Sequence, residues 1–315
     1  MLEHGSYNIE NFSVNKNNEL NRLNSQIDLF WEQELLLYKR LGLCDGMAVL
    51  DCGCGSGYLL EKMHTLYPSM VCTGIEISDF LFTAASDAIL SRNLTRCRVY
   101  KQSILNLDLP DNTFDFVIVR LILEHLRDPL VAMREVRRVL KAGGRAVFID
   151  NDFDFHVRTY PEISELSQLY DAYCTARSRD GGNPRIGRQL PQLLSQTHFT
   201  DISFDVVAAN NTIIGDHAFH LSEGSGIALQ LLHDGYLTSK VYDRLALRWT
   251  EMLQTKGHSM IRLLFAGSGV KPDSPASENT EPSENRLFSA GHSKETMSTT
   301  QSSNKTSTEG LTANI

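Results

Sequence analysis

The sequence lacks long apolar runs and any excess of positive charge. None of its apolar runs approaches the roughly 20 residues that cross a bilayer, and the polar N-terminus does not read as a signal segment. Its 38 acidic residues outnumber the 30 basic ones, which gives a formal charge of -8. Broad nucleic-acid surfaces need clustered Lys and Arg. We therefore predict a cytoplasmic protein with no membrane span, and the charge disfavours a nucleic-acid partner.

Cysteine pairs with metal-site spacing are also missing. The six cysteines stand at positions 44, 52, 54, 72, 97 and 174, and none of them forms a C-x-x-C pair. Structural zinc sites need two such ligand pairs, so we predict no metal and reduced thiols. Cys52 and Cys54 alternate with glycines, where we interpret them as small space-filling residues.

Aromatic residues become scarce after residue 270. From Val270 the composition shifts to Ser, Thr, Asn, Glu and Pro. Such a segment buries too little apolar surface to fold, so we predict a disordered tail over 271–315. Residues 1–19 are rich in Asn, Glu and Ser and are predicted to be a flexible N-terminus. One domain is expected over 20–270.

Within that domain, predicted strands and helices alternate as far as Asp150. Apolar runs predict strands at 48–51, 70–76, 96–101, 114–119 and 145–150, and helical patterns fall between most of them, including 80–90 and 128–140. This alternation predicts a parallel sheet with helices on both faces. Beyond it we predict strands at 202–208 and 258–265, and helices at 160–179, 186–197, 217–233 and 238–256.

A further helix is predicted over 20–41, ahead of the first strand. Its apolar residues recur at spacings of three and four and form one stripe. The stripe fits a helix that packs on the sheet, and it also fits a cap over a ligand site. If the helix is a cap, the candidate contacts are Gln26, Trp31 and Tyr38.

The chain is organised around a glycine-rich turn after the first strand, Asp51-x-Gly53-x-Gly55-x-Gly57. Its spacing differs from the G-x-G-x-x-G of dinucleotide sites, which disfavours a nicotinamide oxidoreductase. An acid before the first glycine suits a ligand with an ammonium group. Glu76 ends the next strand, where a carboxylate can accept both ribose hydroxyls. Together these features indicate a nucleoside with an amino-acid arm, S-adenosylmethionine (SAM).

At these motifs the sequence resembles the class I SAM-dependent methyltransferases, most closely the small-molecule branch with the ubiquinone and menaquinone biosynthesis enzymes. The resemblance covers about residues 20–265 and is weaker after 150. The matching stretches are 49–57, 74–78, 109–117, 124–129 and 135–144. It implies a Rossmann-like α/β fold with a seven-stranded sheet of order 3-2-1-4-5-7-6, in which strand seven is antiparallel.

The resemblance also implies a set of cofactor contacts. The turn holds the methionine arm, which assigns Asp51, Cys52, Gly53, Gly55 and Gly57. The ribose falls to Glu76 and Ile77, and the adenine to Ser103 and Ile104. The family usually has Asp where Ser103 stands, so the hydrogen bond to the adenine amino group lacks a charge here.

Arg120 and Leu121, directly after the fourth strand, complete the predicted cofactor set. Arg120 suits a cofactor carboxylate or an acidic substrate. The alternative is that it pairs with a neighbouring acid, as surface arginines often do.

Methyl transfer from a sulfonium is an in-line displacement, so positioning supplies much of the rate. A base is needed only when the acceptor arrives protonated. His125 and Asp152 are the catalytic candidates, although His125 also suits a turn into the next helix. Substrate contacts are expected from Asp150, Asp154, His156 and Arg188, with a solvated loop as the alternative. A helical lid is expected at 156–197 and 217–256.

The sequence thus predicts methyl transfer from SAM to a small-molecule acceptor, leaving S-adenosylhomocysteine. The alternatives are a non-catalytic SAM-binding or partner-docking protein, a protein or RNA methyltransferase, and a nicotinamide oxidoreductase. The acceptor atom is left open among O, N and C, and the oligomeric state between monomer and homodimer.

Overall fold

The structure, a computed structural model, describes residues 16–223 and 225–273. Helices and strands alternate along this part of the chain. In order they are α1 (Lys16–Arg40), β1 (Ala48–Cys52), α2 (Tyr58–Leu66), β2 (Val71–Glu76), α3 (Asp79–Ser91), β3 (Cys97–Lys101), β4 (Phe114–Arg120), α4 (Pro129–Val139), β5 (Leu140–Asp150), β6 (Val157–Tyr160), α5 (Glu165–Arg179), α6 (Leu190–Gln196), β7 (Thr200–Asn210), α7 (Asn211–Glu223), α8 (Ser225–His233), α9 (Ser239–Gln254) and β8 (Ser259–Val270).

The strands form one sheet in the order β3-β2-β1-β4-β5-β8, with β7 on the outer side of β8. The strands from β3 to β5 are parallel, whereas β8 runs antiparallel to β5 and to β7. The predicted fold class and strand order are confirmed, with β7 and β8 as the predicted sixth and seventh strands. An eighth strand, β6, was not predicted. It pairs with β8 beyond the end of β5.

Several element boundaries differ from the sequence prediction. Because β6 occupies residues Val157–Tyr160, the helix expected at 160–179 begins only at Glu165. The helix expected at 217–233 is two helices, α7 and α8, and α7 contains a non-helical residue at Gly215 (φ 80°). A short 3-10 turn, Ile186–Gln189, precedes α6.

The central strands are buried on both faces, as parallel strands covered by helices should be. Successive residues of β1 face opposite sides: Val49 joins a core cluster with α1 and α2, and Leu50 joins a second one with α4 and α6. The predicted helix at 20–41 is confirmed in type and begins at Lys16, so residues 16–19 of the predicted flexible segment are helical. The rest of that segment and of the predicted tail, apart from 271–273, lies outside the described residues.

No helix in the described ranges is long and apolar enough to cross a membrane. The cytoplasmic location stays a prediction.

Gly74 lets the glycine-rich turn lie directly against β2. A Cβ on this residue would come within 2.6 Å of the Cys54 Sγ and 2.8 Å of the Leu60 Cδ1. Backbone bonds hold the turn in the same place, since the Gly53 and Cys54 amides both donate to the Ile75 carbonyl (2.9 and 3.0 Å). The position of the turn therefore requires a residue without a Cβ at position 74.

We expect Gly74→Ala to destabilise the protein by about 1–3 kcal/mol, because overpacking forces the turn or α2 to shift. Cys54→Gly removes the closer of the two clashes, so the double variant should recover part of the loss. Urea unfolding of the wild type, the two single variants and the double variant measures the loss of stability and its recovery. An unchanged free energy of unfolding in Gly74→Ala would show that the turn is not pressed against β2.

Candidate functional site

A cavity of about 1020 Å³ lies beyond the carboxyl ends of β1, β2, β4 and β5. This edge is where ligands bind in open α/β sheets, since the loops after the strands diverge there. Residues of α1, α7 and α8 line the opposite wall. Gln26 lies in that wall, so α1 both packs on the sheet and caps the cavity. Tyr38 is instead buried and donates to the Glu34 Oε2 (3.0 Å).

The glycines of the turn serve two different needs. Gly53 and Gly55 line the cavity in left-handed conformations (φ 75° and 56°). A Cβ on Gly55 would have no atom nearer than 4.0 Å, so the space above it is open to a ligand. Gly57 does not line the cavity. A Cβ there would lie 3.2 Å from the Cβ of Ala85, so this glycine lets α2 approach α3.

Cys52 also lies outside the cavity lining, in the core beneath the turn. Cys52 and Gly57 were both predicted to contact the cofactor, and neither lines the described cavity. The remaining predicted residues at this end, Ile77, Ser103 and Ile104, all line it.

Glu76 is buried at the end of β2 and organises the turn around it. Its Oε2 accepts from the Gly55 amide (3.0 Å), and its Oε1 accepts from the amides of Ile77 and Ser78 (2.8 and 2.9 Å). Burial raises the pKa of this carboxyl, while the three amides oppose the shift. The carboxylate thus has a fixed orientation at the cavity wall, with lone pairs left for further donors.

Asp51 is a buried carboxyl of the cavity wall that has no hydrogen-bond donor among the described residues. It is 3% exposed and makes no hydrogen bond to the described part of the chain through its side chain. Burial raises its pKa to about 7, Arg120 opposes the shift, and Glu76 and Glu34 add to it. A buried carboxylate without donors is costly, so this position favours a ligand that brings a positive charge.

Arg120 pairs with a neighbouring acid, which was the alternative to a ligand contact. Its Nε donates to both Glu34 oxygens (2.8 and 3.0 Å), and its Nη2 donates to the Gln26 carbonyl (3.0 Å). The pair joins the end of β4 to α1, although Arg120 still lines the cavity. Leu121 follows with a positive φ of 57°. Such strain in a non-glycine residue is often found at functional sites.

An aromatic stack forms the far end of the cavity. The rings of Phe153 and His156 are parallel at 4.1 Å, and Tyr173 stacks on the other side of Phe153 at 4.2 Å. The His156 Nε2 lies 2.9 Å from the Glu223 Oε2. Burial lowers the pKa of His156 to about 4.

His125 also lines this end of the cavity, together with Glu124, Arg177, Glu223 and Arg262, and we call this end the aromatic chamber. Burial and the positive charges of Arg177 and Arg22 lower its pKa to about 3. A neutral imidazole of such low basicity is a weak general base.

Besides Cys52 and Gly57, four predicted residues lie outside the cavity wall. Asp152 and Asp154 both pair with Arg188, at 2.5 Å for the Asp154 Oδ2. Asp150 is fully buried below the wall and accepts from the amides of Glu124 and Asn151 (3.3 and 3.1 Å). These side chains fix the loop after β5, because their hydrogen bonds are used within the protein. Among the residues predicted to contact the substrate, only His156 lines the cavity.

Sequence reasoning missed most of the polar residues in the chamber. Arg262 is 1% exposed and donates to the Glu223 Oε1 (2.6 Å) and the Asn151 Oδ1 (3.2 Å). Arg22, from α1, pairs with Glu19 (2.7 Å). One signal was available, since an arginine in the middle of the apolar strand 258–265 needs a buried acid. Which acid it meets depends on the fold.

The expected lid is only partly at the cavity. Its first part supplies His156, Tyr173 and Arg177, and its second part supplies residues of α7 and α8. The helix α9 lines none of the cavity and packs on α5 and α8.

Comparison with protein families finds a methyltransferase domain over residues 50–148. Residues 50–148, about a third of the chain, therefore form a methyltransferase domain, and the cofactor of such a domain is SAM. The match runs from β1 to β5 and stops before the aromatic chamber.

Curated relatives match the same part. An uncharacterized methyltransferase of Schizosaccharomyces pombe is 32% identical over 148 residues, which are 45% of this chain and 52% of the relative. A demethylmenaquinone methyltransferase of Geobacillus is 26% identical over 157 residues, 48% of this chain and 63% of the relative. The chain thus spans about half the length of the curated relatives that it matches.

Among solved structures, phosphoethanolamine N-methyltransferase 2 of Haemonchus contortus superposes with a TM-score of 0.55 at 18% identity. The superposition covers 85% of this chain and 61% of that chain. At this identity the likeness concerns the fold alone. It extends the agreement beyond the matched domain into the later strands.

The raised pKa of Asp51 predicts a pH-dependent gain from Asp51→Asn in the ligand-free protein. Between pH 4 and 7 the folded wild type keeps a proton that the unfolded chain has lost, so Asp51 makes folding less favourable as the pH rises. The advantage of the variant should widen by about 2–3 kcal/mol between pH 5 and pH 8.

Urea unfolding at the two pH values measures this change. Asp115→Asn is the matched control, because the bond from Lys141 lowers the pKa of Asp115 and no such gain is expected there. An advantage of Asp51→Asn that does not change with pH would show that Asp51 ionises normally.

Proposed function

We propose that this protein transfers a methyl group from SAM to a small-molecule acceptor. The observation that carries the proposal is the unpaired, buried Asp51 beside the open space above Gly55. A ligand that presents an ammonium group there supplies the missing charge. The methionine arm of SAM has such a group.

The rest of the cofactor is assigned along the cavity wall. The Glu76 carboxylate takes the ribose hydroxyls, since its orientation is fixed by three amides. Ser103 and Ile104 take the adenine, and Ile77 lies between the two groups. Arg120 keeps its pair with Glu34 and supports α1 over the bound cofactor.

The acceptor is assigned to the aromatic chamber. Phe153 and Tyr173 give the chamber an aromatic wall, and the chamber opens on the same cavity as the cofactor wall. A flat ring fits such a wall by edge-to-face contact with the stacked rings. The likeness to demethylmenaquinone methyltransferases supports a ring acceptor of that general kind. Transfer is an in-line displacement, in which the C–S bond of the sulfonium breaks as the acceptor atom bonds to the methyl carbon.

Isothermal titration with SAM and with S-adenosylhomocysteine tests the cofactor site. Both ligands should bind the wild type, and binding should be lost in Glu76→Ala and Gly55→Val. Gly46→Val is the matched control, because Gly46 has the same kind of backbone (φ 83°) and open space but lies away from the cavity. Absence of binding in the wild type, or equal losses in both glycine variants, would contradict the assignment.

Transfer itself is measured with SAM carrying a radiolabelled methyl group. We expect label in 1,4-naphthoquinol or catechol, because each presents a hydroxyl on a flat ring. Label that appears only in protein or RNA, with none in small molecules, would refute the small-molecule acceptor while leaving the cofactor site intact.

A further inference from the structure

Glu124 is held rigidly at the junction between the cofactor wall and the aromatic chamber. It lies in the 3-10 turn Leu123–His125, directly beyond β4. Its amide donates to the Asp150 Oδ2 (3.3 Å), and its carbonyl accepts from the Asn183 amide (2.8 Å). The side chain is fixed too, because its Oε1 accepts from the Asn151 Nδ2 (2.7 Å).

The second carboxylate oxygen of Glu124 is unused. Its Oε2 is buried and has no hydrogen-bond partner among the described residues, while Glu124 lines the cavity. An unsatisfied buried carboxylate oxygen costs free energy unless a ligand supplies a donor. The other carboxylate of the chamber, Glu223, uses both oxygens, on Arg262 and His156.

The charges around Glu124 keep it ready to exchange a proton near neutral pH. Burial raises its pKa to about 7, and three arginines on three different elements, Arg177, Arg262 and Arg22, oppose the shift. The other titratable groups that face it are Asp150, His125 and Tyr173. A base works best when its pKa lies near the working pH.

We propose that Glu124 is the catalytic proton acceptor, and that the methyl acceptor is a neutral ring compound which reacts through an acidic hydroxyl of the phenol or enol type. This proposal rests on the proposed function. The unused Oε2 receives the hydroxyl proton. The oxygen, or the ring carbon that shares its charge, then bonds to the methyl carbon. The C–S bond breaks, and its electron pair stays on sulfur as a neutral thioether.

The arginines decide the class of acceptor. Arg22, Arg177 and Arg262 stabilise an oxyanion that develops in the chamber, and they disfavour an ammonium acceptor in the same place. His125 is too weakly basic for this proton, since its pKa falls to about 3. Asp152 is bound by Arg188 away from the cavity.

The activity test compares Glu124→Gln with the wild type in single-turnover transfer to 1,4-naphthoquinol and catechol. Gln keeps the oxygen that accepts from Asn151 but takes up no proton. The rate should fall roughly 100-fold or more, the usual worth of a general base, with SAM affinity changed less than about threefold. In the variant the rate should rise only at high pH, where the hydroxyl is already ionised. His125→Gln should keep the wild-type pH profile.

An infrared pH titration of the ligand-free protein serves as a test that needs no acceptor. Because burial also raises the pKa of Asp51 to about 7, the titration is made in the Asp51→Asn background. There the C=O band of a protonated carboxyl should disappear on titration through pH 7, and this titrating band should be missing when Glu124→Gln is added. It should persist in Glu223→Gln, since charge pairing lowers the pKa of Glu223 to about 2.

The outcomes separate this proposal from the proposed function. A Glu124→Gln rate within threefold of the wild type overturns the role of Glu124 while methyl transfer stands. If neither acceptor is methylated, the infrared titration decides alone, and Glu124 found ionised at pH 5 overturns the proposal. A wild type that binds no SAM overturns both.

Discussion

Buried carboxyl groups at the carboxyl edge of the sheet are the constraint on which this structure depends. Asp51, Glu76 and Asp150 stand in or at the ends of β1, β2 and β5, and each is less than a tenth exposed. Buried carboxylates need donors or opposite charges to be stable. Glu76 and Asp150 receive backbone amides, whereas Asp51 receives none. The ligand-free cofactor wall therefore lacks a positive charge at Asp51, which a cationic ligand supplies.

The Glu34–Arg120 pair carries this constraint to the roof of the cavity. Both side chains are at most 8% exposed, so each charge depends on the other for its stability. Because the pair ties α1 to the end of β4, the residues of α1 that line the cavity are held over the cofactor wall. The same helix supplies Arg22 to the aromatic chamber. The Glu34–Arg120 pair thus connects the cofactor wall with the aromatic chamber.

Most residues of the wall proposed to bind the cofactor could be placed at the cavity from the sequence. Their motifs are local, because a strand, an acid and spaced glycines fix the turn. Two of the predicted contacts do not line the cavity. Cys52 alternates with its neighbours along a strand and so faces the core, and Gly57 lies against α3.

The acceptor side could not be predicted, because its contacts join distant parts of the chain. Arg262 meets Glu223 across 39 positions and Asn151 across 111. Asp152 and Arg188 looked like ligand contacts, and the fold pairs them with each other. Only the arrangement of β5, β8 and α7 reveals which charges meet and which oxygen of Glu124 is left over.

A crystal structure of the S-adenosylhomocysteine complex tests the central claim most directly. The account predicts the ligand ammonium in contact with the Asp51 carboxylate, the ribose hydroxyls on Glu76, and the sulfur facing the chamber of Glu124 and Phe153. A ligand bound elsewhere, or bound with its ammonium turned away from Asp51, would contradict the account.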